Sequence, residues 1–118
     1  MSRETKIMDQ LQHGTHPNAE TFQTFLDGSK RSRVKLETAA IGVGTYHPGW
    51  RHSEHTAPQS GKASQHHIGY ILSGWMAIQA KDGTQAILGP GHAFEVAPEH
   101  DAWVVGDESC IAFDFRSL

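Results

Sequence analysis

From Arg33 onward the chain cannot sustain a long regular element. Gly, Pro or Asp interrupts it about every ten residues, and the intervening runs are rich in Val, Ile, Phe, Tyr and Trp. Such residues suit a pleated, half-buried surface, and the interruptions suit turns. Val34–Thr38, Ala40–Tyr46, Trp50–Thr56, His67–Leu72, Met76–Ala80, Gln85–Leu88, Ala93–Val96, Ala102–Val105 and Cys110–Phe115 read as strands. So many short strands predict an all-β body closed as a small barrel or sandwich. Asp82-Gly83 predicts a two-residue hairpin turn between Ala80 and Gln85. The run Pro58–Ser64 predicts a wide loop between two His-bearing strands. In Cys110–Phe115 the row Cys110, Ala112, Asp114 alternates with Ile111, Phe113, Phe115, and the aromatic row is the expected core face.

Residues 1–30 carry no sustained period. Only Ala19–Leu26, behind Asn18 as an N-cap, offers a helical turn or two. The expectation is a short irregular or helical N-terminal arm over residues 1–32 and a barrel over residues 33–118. A length of 118 residues leaves room for one core.

Charge and cysteine content narrow the function. The net charge is −3, and the main body, residues 36–118, is the acidic part, which argues against nucleic acid as a partner. No stretch reaches the roughly 20 apolar residues of a membrane helix. Polar residues follow Met1, where a signal sequence would be apolar, so a cytoplasmic location without membrane contact is expected. Cys110 is the only cysteine, so any metal must be held by His and carboxylates; the thiol itself is expected to pack as a small hydrophobe. The basic run Lys30–Lys35 reads as a solvated edge strand.

Histidine stands out, with nine residues, seven of them between His47 and His100. They concentrate in Trp50–His55, Gln65–His67, Gly91-His92 and Pro98–His100. Imidazole is a common ligand for Zn, Fe, Ni and Cu, and a site needs three or four ligands converging from different strands. A barrel interior supplies that convergence.

These segments resemble the cupin family. Its first motif pairs a Pro-Gly turn and a His-bearing strand with a Glu or His seven residues before a strand-ending Gly, matched here by Pro48-Gly49, His55, and His67 before Gly74. Its second motif, a Gly followed by a Pro and then a His, is matched by Gly91, Pro98 and His100. The resemblance spans about residues 40–116. His67–Gly74 and His100–Asp107 look like a subgroup of small single-domain bacterial cupins. The resemblance implies a cupin-type β-barrel (double-stranded β-helix, jelly roll) with a divalent transition metal, Zn, Fe, Mn or Ni, on His55, His67 and His100. The chain departs from the family in lacking a His-x-His pair and in placing His67 where many cupins have Glu.

If Trp50–Thr56 is a strand, His55 and Ser53 share one face and His52 and Glu54 the other, so a His55 that faces the lumen turns those two away from it, and the same parity sets Gln65 beside His67. Gln65 or water is thus the first candidate for the fourth position, with His52 admitted if a bulge reverses its face. Glu54 is a weak candidate base, as is Glu95. Trp103 and Phe94 are expected to line an apolar pocket, whereas Trp50, Trp75 and Tyr70 read as packing residues. His13, His16, His47, His66 and His92 are expected at the surface. Two functions follow: an enzyme using the metal on a small organic molecule (dioxygenase, isomerase or hydrolase), or a non-catalytic module binding a small ligand. Exposed strand edges and the arm predict a homodimer.

Overall fold

The computed structural model describes residues 10–19 and 21–117. Nine strands appear among these residues: β1 (Thr21–Thr24), β2 (Lys30–Lys35), β3 (Ala39–Tyr46), β4 (His67–Ser73), β5 (Trp75–Gln79), β6 (Gln85–Leu88), β7 (Ala93–Val96), β8 (Asp101–Val105) and β9 (Cys110–Ser117). They form two antiparallel sheets, one ordered β1-β2-β3-β9-β4-β7 and one ordered β6-β5-β8. The architecture is the expected β-barrel of jelly-roll type. Among the described residues no helix is long and apolar enough to cross a membrane.

Alternation assigns the inner faces. Ala40, Gly42, Gly44 and Tyr46 of β3 and Gly69 and Ile71 of β4 are buried, whereas Ile68, Tyr70 and Leu72 of β4 are exposed. On β9 the row Cys110, Ala112, Asp114 points inward and Ile111, Phe113, Phe115 outward, the reverse of the face expected from apolar bulk. Small residues win the inner face because Tyr46, Trp50, Met76, Ile78 and Phe94 already fill the lumen. Tyr70, expected in the core, is accordingly exposed. Burial pushes the Cys110 thiol up to about 11, so it behaves as the inert hydrophobe expected of it.

Four further local expectations are corrected. Thr21–Thr24 is a strand paired with β2, where a helical turn was expected; the short helical piece of this region is a 3-10 turn, His16–Asn18, around Pro17. Because β1 covers its edge, the basic strand β2 is internal to the sheet and carries the expected arm boundary within it. Trp50–Thr56 is mostly not a strand: only Arg51 bridges Trp103, and His52–Thr56 forms a π-helical turn continued by α1 (Ala57–Ser60). The β5–β6 hairpin lies where Asp82-Gly83 placed it. Its closing bond from Ala80 N–H to Thr84 O encloses three residues, with Gly83 left-handed at φ 93°, instead of two.

Candidate functional site

The barrel interior is organised around one carboxylate. Asp114 Oδ2 accepts hydrogen bonds from Arg33 Nη2 at 2.7 Å and from His67 Nε2 at 3.0 Å. Arg33, Gly42 and Asp114 sit opposite one another on β2, β3 and β9, and only the missing side chain of Gly42 lets the guanidinium reach across. A Cβ at Gly42 would overlap the Asp114 carboxylate. Burial acts to raise the Asp114 pKa, but the hydrogen bonds and charges of His67 and Arg33 outweigh it and hold the carboxyl well below the usual range.

Two more imidazoles face His67. The His100 ring lies 5.7 Å from that of His67, nearly perpendicular to it, and 6.2 Å from that of His52. His100 Nδ1–H donates to Ala97 O at 2.9 Å, which leaves the Nε2 lone pair free. Its backbone is pinned by Ser64, whose Oγ accepts from His100 N–H at 2.7 Å and donates to His100 O at 2.6 Å. Burial lowers the pKa of both His52 and His100, and their mutual proximity adds to this at His52, so neutral imidazole is favoured.

The π-helical turn decides which histidine of Trp50–His55 enters. Trp50 is buried against Tyr46 and Phe25, its O accepts from Val104 N–H, and its Nε1–H donates to Thr56 Oγ1 at 3.1 Å. Arg51 then lies over the Trp103 ring at 4.3 Å and pairs with Asp101 at 2.9 Å, where Ser53 is also bonded. With both ends fixed, His52 is directed to the interior. The ring of His55 turns back, its Nδ1 accepting from Arg51 N–H at 2.9 Å.

The structure therefore gathers His67, His100 and His52, and keeps His55 apart from them. Gln65 is exposed and borders the wider cleft near His67; Glu54 is exposed and lines neither that cleft nor the lumen; Trp103 packs under Arg51 outside the lumen. Phe94 does line the lumen. Among the surface histidines, His66 pairs with Glu95 at 2.7 Å and His92 bonds within its own turn. Asp114 and Arg33 were missed. The signal for Asp114 was its place in the small-residue row of β9, and for Arg33 the alternation Lys30-Arg31-Ser32-Arg33.

A cavity of about 50 Å³ lies at the centre, lined by His52, His67, His100 and Asp114 together with apolar residues such as Met76 and Phe94. His52 and His67 also border a wider cleft of about 400 Å³ that reaches β1, β2 and the segment after α1. Within this setting the buried His67 Nδ1, Arg33 Nε and Asp114 Oδ1 have no hydrogen-bond partner among the described residues.

The fold is that of the cupins. It is similar to an RmlC-like cupin from Shewanella frigidimarina (TM-score 0.64, 17% identity, 94% of each chain covered). It is also similar to KdgF from Halomonas sp. (TM-score 0.61, 20% identity, 84% of this chain and 87% of that one). The polyketide cyclase RemF from Streptomyces resistomycificus matches with TM-score 0.62 and 13% identity over 92% of this chain and 80% of its own. No family model matches the sequence, and no curated protein matches it.

Proposed function

We propose that this is a cytoplasmic, single-domain cupin that acts on a small organic molecule at the His52, His67, His100 and Asp114 cluster. The observation that carries the reading is the buried, unpartnered His67 Nδ1. With Nε2–H donated to the Asp114 carboxylate, Nδ1 holds a lone pair where little but a ligand can use it. The similarity in fold to the polyketide cyclase RemF supports a small-molecule role.

The donor chemistry fits a divalent transition metal, Zn, Fe, Mn or Ni, on His67 Nδ1, His100 Nε2 and His52. All three are imidazoles, and burial favours the neutral form at His52 and His100. Among the described residues no three His, Cys, Asp or Glu stand ready-made at ion-holding distance. When bound, such an ion supplies a Lewis acid for a substrate oxygen. The chain's own part is to orient His67 through Asp114, to anchor His100 through Ser64 and Ala97, and to keep an apolar wall of Met76 and Phe94 around the substrate.

The lack of a ready-made triad favours a second reading, in which His67, oriented by Asp114, takes a substrate proton on Nδ1 without metal. Metal analysis of untagged protein separates the two. The first reading expects near-stoichiometric Zn, Fe, Mn or Ni, lost in His67→Ala and kept in His55→Ala. A wild-type protein that neither contains nor takes up any of these ions would sink it.

The same proposal includes a homodimer through the outer face of the larger sheet. Ile68, Tyr70 and Leu72 of β4 and Phe115 of β9 are exposed there, with Ile68 directly opposite Phe115 and Tyr70 opposite Phe113. Sedimentation at micromolar concentration is expected to give a dimer that Leu72→Lys shifts to monomer. A wild-type monomer under those conditions would refute the interface.

A further inference from the structure

The wide cleft carries a charge pattern that the histidine chemistry does not use. Arg31 and Arg33 of β2, Arg116 of β9 and Lys62 after α1 all border it, and among the described residues its lining contains no Asp or Glu. This is a local concentration of cations in a chain of net charge −3. The pairing within it is incomplete. Arg33 is matched by Asp114, but Arg31 donates its Nε and Nη2 hydrogens to a neutral amide, Gln23 Oε1, at 3.2 and 3.0 Å. The Arg116 side chain makes no hydrogen bond or close ion pair with any described residue and feels the Asp114 carboxylate, already shared by Arg33 and His67, only through space.

The geometry of the sheet explains why these cations share one space. Inward residues alternate along a strand, so Arg31 and Arg33 point the same way, and Arg116 follows Asp114 by two on the inward row of β9. Like charges brought together in a recess repel, and repulsion of this kind is relieved by a bound anion. Guanidinium is the group best matched to a planar or tetrahedral oxyanion, through paired N–H donors.

We propose that the cleft binds an organic oxyanion, gripped by Arg31 and Arg116 with Lys62 at the mouth, so that the rest of the molecule extends toward His52 and His67. The inference rests on the small-molecule reading above and names its substrate class: a compact organic acid or phosphate ester, not a neutral molecule. Arg31 borders both the cleft and the central cavity, so an anion held there lies on the path to His67.

The test uses the full chain stripped with chelator, titrated calorimetrically with succinate, with inorganic phosphate and with succinamide, a neutral analogue of succinate. Saturable binding of succinate or phosphate is expected, weakening as salt is raised, with none for succinamide. A preference for succinate assigns a carboxylate, and a preference for phosphate assigns a phosphate ester. Arg116→Gln and Arg31→Gln should each weaken the preferred anion about tenfold or more, the loss of one charge-assisted contact. Lys35→Gln, outside the cleft, should leave binding unchanged. Absence of saturable binding by either anion, equal binding of succinamide, or indifference to both arginine substitutions would overturn the proposal. Because Arg116 lies near the exposed end of β9, its variant should stay folded, with melting behaviour as the check. Metal uptake by Arg116→Gln and succinate binding by His67→Ala, measured separately, tell a failed cleft from a failed histidine site.

Discussion

Asp114→Ala is expected to destabilise the fold by about 3 kcal/mol, because removing one partner of a buried ion pair leaves the other charge uncompensated. The low end of the usual range applies because the Arg33 and Asp114 side chains retain 13% and 12% exposure. His67 loses its orienting acceptor in the same step. The pH dependence has a definite sign. The folded-state carboxyl is held below its ordinary value, so its contribution is fully present above the unfolded value of about 3.9 and is lost as pH falls toward the folded one. Urea unfolding of metal-free protein should therefore show wild-type stability dropping below about pH 5, with a visibly flatter acid limb in the variant. Parallel limbs would mean that Asp114 is not ionised and paired as described.

The second large effect is at Trp50. Its ring is 4% exposed, packs 4.4 Å from Tyr46 and 6.4 Å from Phe25, and its Nε1–H donates to Thr56. Trp50→Ala removes that volume and should cost about 3–5 kcal/mol in denaturant unfolding. Trp50→Phe keeps part of the packing but leaves the buried Thr56 hydroxyl without its donor, so about 1–3 kcal/mol is expected. The larger consequence is local: the His52 ring meets Trp50 edge-on at 6.4 Å, so its NMR signals should broaden or multiply in Trp50→Ala. A loss under about 1 kcal/mol would show that the turn is held by Arg51 and Asp101 instead.

The body of the fold was legible because alternation and turn residues act locally. β3, β4, β6, β7, β8 and β9 fall on or near the expected segments, and the hairpin follows Asp82-Gly83. β1 was not legible: all four of its residues are exposed, so no apolar period marks it, and its pairing with β2 is a long-range matter. The site was half legible. His67 and His100 meet as the motif spacing suggested, but the choice between His52 and His55 depended on whether Trp50–Thr56 alternates as a strand. It winds instead, because Trp50, Arg51 and Ser53 are tied to β8 and its neighbours, and face parity loses its meaning there. The inward arginines were hidden by a prior that places charged residues on a solvated edge, which fails when another strand covers that edge.

The row Arg33, Gly42, Asp114 has a consequence for how the chain finds its pairing. Sliding β2 by one residue against β3 would bring Ser32 or Val34 opposite Gly42, turn both arginines to the outer side, and strand Asp114 without its guanidinium. Sliding by two would bring Arg31 or Lys35 into the same place and supply a cation again. The interior charge thus proofreads odd from even during assembly. Absolute register must come from elsewhere, from Ser29 and Phe25 at the β1–β2 turn, where Phe25 N–H donates to Ser29 O at 2.7 Å and Ser29 Oγ accepts from His47 N–H at 2.9 Å.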